Sequence, residues 1–314
     1  MGIRTIEFLE QEAYEMENDF FKAVVLPGEG SNLISVFDKT KQVELLRVPK
    51  TKEEHASRKM LYGTPVLFPP NRIEDAVFRF RDRTYELEMN RAKENVHIHG
   101  WVHDKKWTVS GVDQEQNILT TIFQSSAHPD ILKQFPHSFV LEMTIQLLDS
   151  GITQTLKVIN ESEETMPVGV GYHTTFQFPI EESTLHMDVD TYWELNERHL
   201  PTGKLLLVPY KTELKKGMKL TGLALDDVYP VTDDRKAVIE HPDRGIKVTY
   251  EAVKGFKHWV LFTAGGNEDM LAVEPYSWVT NAPNLDLPEE VTGLCGLKPG
   301  QEKVFITTLS VEYF

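Results

Sequence analysis

The sequence predicts an all-β protein: one large sandwich or barrel-like domain with few short helices. Apolar and polar residues alternate with the period of a strand along much of the chain, turn-forming segments separate these runs, and helical periodicity is scarce. The 314 residues exceed the usual size of a domain, but all-β domains reach this length without dividing. Because no Gly/Ser- or Pro-rich linker interrupts the chain, we expect a single domain over residues 1–314. A two-domain division near residue 185 is the alternative.

The clearest strand pair is at residues 139–160. In residues 139–147 every second side chain is apolar and most of those between are polar, the pattern of a half-buried strand. Residues 149–151, Asp-Ser-Gly, form a turn, and residues 152–160 resume the alternation. Together these segments predict a long hairpin.

The same alternation predicts further strands on both sides of this hairpin. Two shorter hairpins precede it, at residues 77–87 and 107–123. Later strands are predicted at residues 238–240, 246–250, 259–263 and 304–313. Short helices are predicted at residues 51–61 and 129–135.

Charge and cysteine content exclude several classes of protein. The net charge of -15 argues against nucleic acid or an anionic membrane surface as a partner, since both require a basic surface. The single cysteine, Cys295, cannot form an internal disulfide, which favours a reducing compartment. Residues 1–19 are acidic and lack the apolar core of a signal peptide, and no apolar segment is long enough to span a bilayer. We therefore expect a cytoplasmic protein.

Asn71 and Arg72 follow an apolar run that ends in two prolines, so both are expected on a loop at the end of a sheet. The rigid fork of guanidinium donors suits sugar hydroxyls or a carboxylate. A structural alternative is that Arg72 pairs with Glu74 or Asp75.

Three histidines, His97, His99 and His103, occur close together. His97 and His99 would share one face of a strand, which is the spacing of a metal-binding pair. No other histidine occurs at a matching spacing, so hydrogen-bonding roles are favoured. A metal-dependent enzyme of the cupin type is the minority alternative.

Three further segments place polar groups beside apolar runs. His173 follows two glycines, and Glu274 ends an apolar strand, where burial would raise its pKa toward the range of a general base. Asp226 and Asp227 adjoin a strand and could hold a sugar hydroxyl. At most one of four tryptophans is expected to contact a ligand: Trp101, Trp107, Trp259 and Trp278.

Taken in order, these segments resemble the motifs of the aldose 1-epimerase (galactose mutarotase) family along nearly the whole chain. The matching segments are residues 63–73, 95–100, 171–176, 226–229, 273–275 and 297–302. The sequence departs from the family pattern at Thr174-Thr175, Ala272 and Trp101, and is most similar to a divergent bacterial branch.

The resemblance implies a large antiparallel β-supersandwich of the galactose mutarotase type, with the site on a concave sheet face. It implies Glu274 as the base, with His173 and His99 serving the ring oxygen, and Asn71, Arg72 and Asp226 binding the sugar. Anomer exchange opens and closes a hemiacetal by proton transfer, so no cofactor and no metal are expected. The expected partner is a small sugar, and the chain is expected to be a monomer or a homodimer.

Two other functions are compatible with the same motifs. A hexose-6-phosphate mutarotase would require two or more Arg or Lys in the pocket. Arg72, Arg79 and Arg81 are near in the sequence, but alternation puts Arg79 and Arg81 together, where they could face solvent. A non-catalytic carbohydrate-binding protein would need no matched acid and base, so the presence of both Glu274 and His173 disfavours it.

Overall fold

The computed structural model describes residues 2–314 and confirms the all-β fold, with only four short α-helices in that range. The strands are β1 Gly2–Phe8, β2 Gln11–Glu17, β3 Phe21–Leu26, β4 Asn32–Asp38, β5 Val43–Glu44, β6 Val66–Leu67, β7 Arg72–Glu74, β8 Val77–Phe80, β9 Arg83–Glu86, β10 Val96–Ile98, β11 Thr108–Asp113, β12 Ile118–Gln124, β13 Phe139–Leu148, β14 Gly151–Asn160, β15 Met166–Pro167, β16 Gly171–Tyr172, β17 Thr175–Gln177, β18 Thr184–Met187, β19 Thr191–Leu195, β20 Pro201–Leu207, β21 Asp226–Pro230, β22 Lys236–His241, β23 Ile246–Lys254, β24 His258–Phe262, β25 Met270–Tyr276, β26 Gly296–Leu297 and β27 Glu302–Tyr313. The helices are α1 Lys52–Ser57, α2 Pro129–Gln134, α3 Lys211–Lys216 and α4 Glu289–Thr292, with 3-10 turns at Lys59–Leu61, Ser125–Ala127, Pro242–Arg244 and Ala282–Asn284.

The largest sheet has eight antiparallel strands in the order β11-β12-β13-β14-β27-β23-β22-β18. The predicted hairpin forms its centre, with β13 paired to β14 from Phe139 opposite Asn160 to Leu148 opposite Gly151. Along β13, Met143 and Ile145 are buried while Glu142, Thr144 and Gln146 are partly exposed, as the alternation predicts. One face of this sheet therefore packs on the core.

A second sheet, of six strands, packs against the first and carries buried polar residues on and beside its strands, among them His173, Thr174 and Glu274. Its order is β21-β24-β25-β16-β6, and β17 also pairs with β25. Aromatic side chains join the two sheets: the ring of Tyr250 on β23 lies 5.5 Å from Phe176 on β17 and 6.0 Å from Trp259 on β24. All seven residues of β25 are buried, so any polar side chain on that strand needs a partner or a cleft.

The structure also contains elements that the sequence patterns did not predict. Strands β1 to β5 form a separate five-stranded sheet. Its strand β4 is buried at six of seven positions, so period-two alternation is absent there. The predicted helix at residues 51–61 is divided into α1 and a 3-10 turn at Arg58, whose φ of -148° ends the helix.

Strands from both sides of residue 185 share the eight-stranded sheet, since β18, β22, β23 and β27 extend the sheet begun by β11 to β14. That the chain forms a single domain stays a prediction. The shared sheet favours it over a division into two domains near residue 185. Among residues 2–314, no helix has the length and apolar character needed to cross a membrane.

Candidate active site

A cleft of about 550 Å³ opens beside β25. Six residues singled out from the sequence line it: Asn71, Arg72, His99, His173, Asp226 and Glu274. They come from five segments far apart in the chain, which the pairing of β7 with β10 and of β25 with β16, β17 and β24 brings together.

Strand β25 directs two polar side chains into the cleft. Glu274 and Tyr276 are two residues apart and therefore on the same face of the strand. The Tyr276 hydroxyl donates a hydrogen bond of 2.5 Å to Glu274 Oε2. This bond fixes one carboxylate oxygen and leaves Oε1 directed toward His173.

His173 lies between β16 and β17, with its imidazole beside the carboxylate. Its Nε2 is 3.4 Å from Glu274 Oε1, while Thr175 Oγ1 is 3.5 Å from its Nδ1. The rings of His99 and His173 lie 5.5 Å apart in an edge-on arrangement, and the Phe262 ring packs on His173 at 6.3 Å. One carboxylate and two imidazoles thus meet in one partly apolar cleft.

Burial shifts these groups in opposite directions. It raises the pKa of Glu274 to about 8, with a smaller opposing contribution from the Tyr276 hydrogen bond. It lowers the pKa of His173 to about 4, and it holds the pKa of His99 well below its ordinary value, with the neighbouring His173 adding to the effect. At neutral pH the pair of Glu274 and His173 therefore holds one proton.

Two turns with positive φ place the remaining predicted residues. Asn71 has a φ of 53° and His99 a φ of 65°, and the His99 N–H donates to the Asn71 carbonyl at 3.0 Å. Gly100 follows with a φ of 68°, and a Cβ at this position would lie 1.9 Å from the Phe68 carbonyl oxygen. Only glycine allows this approach, which holds His99 at the cleft.

The partners of Arg72 differ from those expected in the structural alternative. Arg72 Nε donates to Glu94 Oε2 at 2.7 Å, and its Nη2 lies 3.7 Å from Asp226 Oδ2. Glu74 and Asp75 pair with Arg198 instead. Arg72 is consequently held between two carboxylates at the cleft wall.

The structure separates His97 from the other two clustered histidines. Strand β10 ends at Ile98, so the positive φ of His99 breaks the alternation that would have put His97 on the same face. His97 donates from Nδ1 to the Glu88 carbonyl at 2.7 Å, while His99 and His103 line the cleft. Residues 2–314 contain no group of three or more His, Cys, Asp or Glu arranged to hold a metal ion.

Of the three basic residues considered from the sequence, Arg72 alone lines the cleft. Arg79 and Arg81 are exposed on the β8–β9 hairpin, whereas Arg58, Lys59 and Arg91 line the cleft together with Arg72. Arg58 pairs with Glu268 at 2.8 Å, Lys59 with Glu29 at 3.4 Å and Arg91 with Glu94 at 3.9 Å.

Three residues that contact the predicted site residues were not predicted from the sequence: Tyr276, Glu94 and His199. Tyr276 had a usable signal, since it is two residues beyond Glu274 in the same strand. Glu94 and His199 meet Arg72 and Asp226 only through tertiary structure, and no spacing could have found them. All four tryptophans considered as sugar platforms are buried in the core, and the aromatic residues that line the cleft are Phe262 and Tyr276.

Comparison with known proteins identifies the family. The aldose 1-epimerase family model matches residues 12–310. A galactose mutarotase-like protein from Clostridium acetobutylicum is 30% identical, with a TM-score of 0.94 over 99% of this chain and 98% of that one. Galactose 1-epimerase from Lactobacillus acidophilus is 16% identical, with a TM-score of 0.81 over 99% of this chain and 98% of that one. Protein LacX of Lactococcus lactis is 23% identical over 267 residues, 78% of this chain and 85% of the relative. The chain therefore belongs to the aldose 1-epimerase family, in which its low identity to these relatives makes it a divergent member.

Proposed function

We propose that this protein is a cytoplasmic aldose 1-epimerase, which interconverts the α and β anomers of a free aldohexose such as glucose or galactose. The observation that carries the proposal is the pair of Glu274 and His173, with Nε2 and Oε1 3.4 Å apart in a sugar-sized cleft. Burial displaces their pKa values in opposite directions, so the pair holds the single transferable proton that the reaction uses.

Ring opening moves two protons at opposite sides of the anomeric carbon. Glu274, as carboxylate, removes the proton of the C1 hydroxyl while protonated His173 donates to the ring oxygen, so that the C1–O5 bond breaks and an aldehyde forms. Rotation about C1–C2 exposes the other face, and the reverse transfers close the ring. Before ring opening, the proton on Glu274 must move to His173, whose Nε2 is 3.4 Å from Oε1. This transfer gives the carboxylate and the protonated imidazole that ring opening of the cyclic sugar uses.

The other cleft residues have binding roles in this proposal. His99 is kept neutral by its low pKa and assists at the ring oxygen as a hydrogen-bond partner. Arg72 and Asp226 present donors and acceptors to the remaining hydroxyls, and Asn71 orients Arg72, because its Oδ1 accepts from Arg72 Nη1 at 3.1 Å.

Polarimetry on freshly dissolved α-D-glucose and α-D-galactose tests the reaction and the base together. We expect the wild type to accelerate mutarotation and Glu274→Gln to lose about 10²- to 10⁴-fold in kcat, because an amide cannot accept the C1 proton. Glu240→Gln is the matched control, since Glu240 is on β22 and pairs with His186 and Lys247. Its activity should equal that of the wild type.

Full activity of Glu274→Gln would refute the assignment of the base. Saturable sugar binding by the wild type without any acceleration would contradict the epimerase proposal and indicate a carbohydrate-binding protein.

A phosphorylated hexose is the second candidate substrate, favoured by the four basic residues that line the cleft. Arg58 and Lys59 are exposed there, but each already has a carboxylate partner. Glucose 6-phosphate as the substrate in the same assay separates the two candidates. A kcat/KM higher than that for glucose, lost in Arg58→Gln, would favour the phosphate; equal or lower values would favour the free sugar.

A further inference from the structure

The turn between β19 and β20, residues 196–200, does not line the cleft but contacts a residue that does, Asp226. Asn196 Oδ1 accepts from the backbone N–H groups of Arg198 at 2.9 Å and Leu200 at 3.1 Å, and the Asn196 carbonyl accepts from the His199 N–H at 2.9 Å. His199 has a φ of 56°, an uncommon conformation for a residue other than glycine. Such a conformation persists where the surroundings fix it.

Arg198 attaches this turn to strand β7, which carries Arg72, and to the segment that precedes β10. Its guanidinium donates to Glu74 at 3.0 Å, to Asp75 at 2.7 Å, and to the carbonyls of Glu94 at 2.9 Å and Asn95 at 2.7 Å. Four bonds from one planar group restrict both the position and the rotation of the turn. The adjacent His199 is therefore held in place relative to the cleft.

His199 contacts a predicted sugar-binding residue. Its Nδ1 lies 3.2 Å from Asp226 Oδ2, and Arg72 Nη2 lies 3.7 Å from the same oxygen. Within residues 2–314, Asp226 Oδ1 accepts no hydrogen bond, and both ion-pair distances are to Oδ2, while Asp226 lines the cleft. One carboxylate oxygen is thus engaged by protein and the other is available to a ligand.

We propose that His199 is a positioning residue for the sugar: it holds Asp226 Oδ2 so that Oδ1 accepts a hydrogen bond from a hydroxyl of the bound aldose. The inference rests on the proposed function. Without the His199 donor, the carboxylate is free to rotate into a closer, two-oxygen pair with the Arg72 guanidinium, a geometry that arginine favours. That rotation would withdraw the Asp226 acceptor and the Arg72 donors from the sugar.

Two substitutions separate the side chain of His199 from its backbone. His199→Gly removes the donor but tolerates a positive φ, whereas His199→Asn keeps an N–H donor and also tolerates it. We expect His199→Gly to raise KM roughly three- to tenfold with a much smaller change in kcat, as for a lost bond to a charged group that binds a non-reacting hydroxyl. His199→Asn should restore most of the loss.

Lys204→Ala on the same hairpin, where the side chain is 73% exposed, is the control and should match the wild type. An unchanged KM in His199→Gly, or a loss in His199→Asn equal to that in His199→Gly, would overturn the proposal.

A double-mutant cycle tests whether His199 acts through Asp226. In an Asp226→Ala background, His199→Gly should have no further effect on KM, because the group that it positions is absent. Additive losses would show that His199 acts by another route and would overturn the inference.

A spectroscopic measurement keeps the inference separate from the proposed function. Long-range ¹H–¹⁵N spectra of the imidazoles, with His199 assigned from His199→Gly, report which ring nitrogen carries hydrogen. We expect Nδ1 of His199 to carry hydrogen in the wild type, and we expect the distribution of hydrogen between the two ring nitrogens to change in Asp226→Ala. A neutral ring with hydrogen on Nε2 alone in the wild type would overturn the inference. Failure of the wild type to accelerate mutarotation would refute the proposed function. The imidazole spectra would still test the contact between His199 and Asp226.

Discussion

Burial changes Glu274 and His173 in opposite ways, although both sit in the same cleft. The charged form of each is disfavoured, so the pKa of the carboxyl rises to about 8 and that of the imidazole falls to about 4. The Tyr276 hydroxyl moderates the shift of Glu274 by donating to Oε2. The pair consequently has one proton over a wide pH range, which suits a reaction that uses an acid and a base and then exchanges their roles.

The pH dependence of kcat/KM should follow this shared proton. We expect a plateau between about pH 4 and pH 8, because below it His173 takes up a second proton and no base is left, and above it the pair loses its proton and no acid is left. In Tyr276→Phe the hydrogen bond that lowers the pKa of Glu274 is absent, so the alkaline limb should move to higher pH. A limb that moves to lower pH, or one set by a group unaffected by this substitution, would contradict the prediction.

The site depends on short turns more than on the long strands. Asn71 and His99 both adopt positive φ, and the hydrogen bond from His99 N–H to the Asn71 carbonyl joins their turns. Gly100 lets the second turn approach the Phe68 carbonyl more closely than any side chain would allow. The strands β7, β10 and β25 bring the segments together, and these turns orient the side chains toward the cleft.

Gly100→Ala should therefore destabilise the fold by more than a positive φ alone explains. Gly222 has a φ of 74° and nothing within 4 Å of a Cβ, so Gly222→Ala should cost only about 1 to 2 kcal/mol. In Gly100→Ala the clash with the Phe68 carbonyl adds to a similar strain, and we expect a loss above about 3 kcal/mol. Urea unfolding of both variants measures the difference, and equal losses would show that the clash is relieved by local movement.

The molecule is connected by strands that are distant in sequence. Strand β27, near the end of the chain, lies between β14 and β23 in the eight-stranded sheet. The six-stranded sheet likewise combines β6 and β16 with β21, β24 and β25. Neither sheet can lose its C-terminal strands without exposing the core that the two sheets share.

This connectivity predicts one cooperative unfolding transition. Scanning calorimetry of the full chain should give a single peak whose calorimetric and van't Hoff enthalpies agree, since a division near residue 185 would break both the eight-stranded and the six-stranded sheet. Two resolved transitions, or a calorimetric enthalpy well above the van't Hoff value, would indicate independently folding parts and favour the two-domain alternative.

Local patterns were informative wherever neighbours in sequence are also neighbours in structure. The alternation in residues 139–160 predicted β13 and β14 because a hairpin needs only period-two burial and a turn. The five-stranded sheet was missed because β4 is buried on both faces and its apolar run has no distinguishing period. The alternation placed Arg79 and Arg81 together and left a solvent-facing position open to them, and both are exposed because Phe78 and Phe80 occupy the buried face of β8.

The sequence by itself determined the all-β class, the family and the chemical types in the cleft, since these depend on periodicity and on short motifs whose residues are local. Tertiary structure alone decided how those residues are paired. Tyr276 on Glu274, Glu94 on Arg72 and His199 on Asp226 are contacts across strands and turns. The burial that moves the pKa values of Glu274 and His173 arises only when segments distant in sequence, among them residues 58–61, 71–72 and 98–99, pack around them, because desolvation is a property of the packed surroundings and not of the residue.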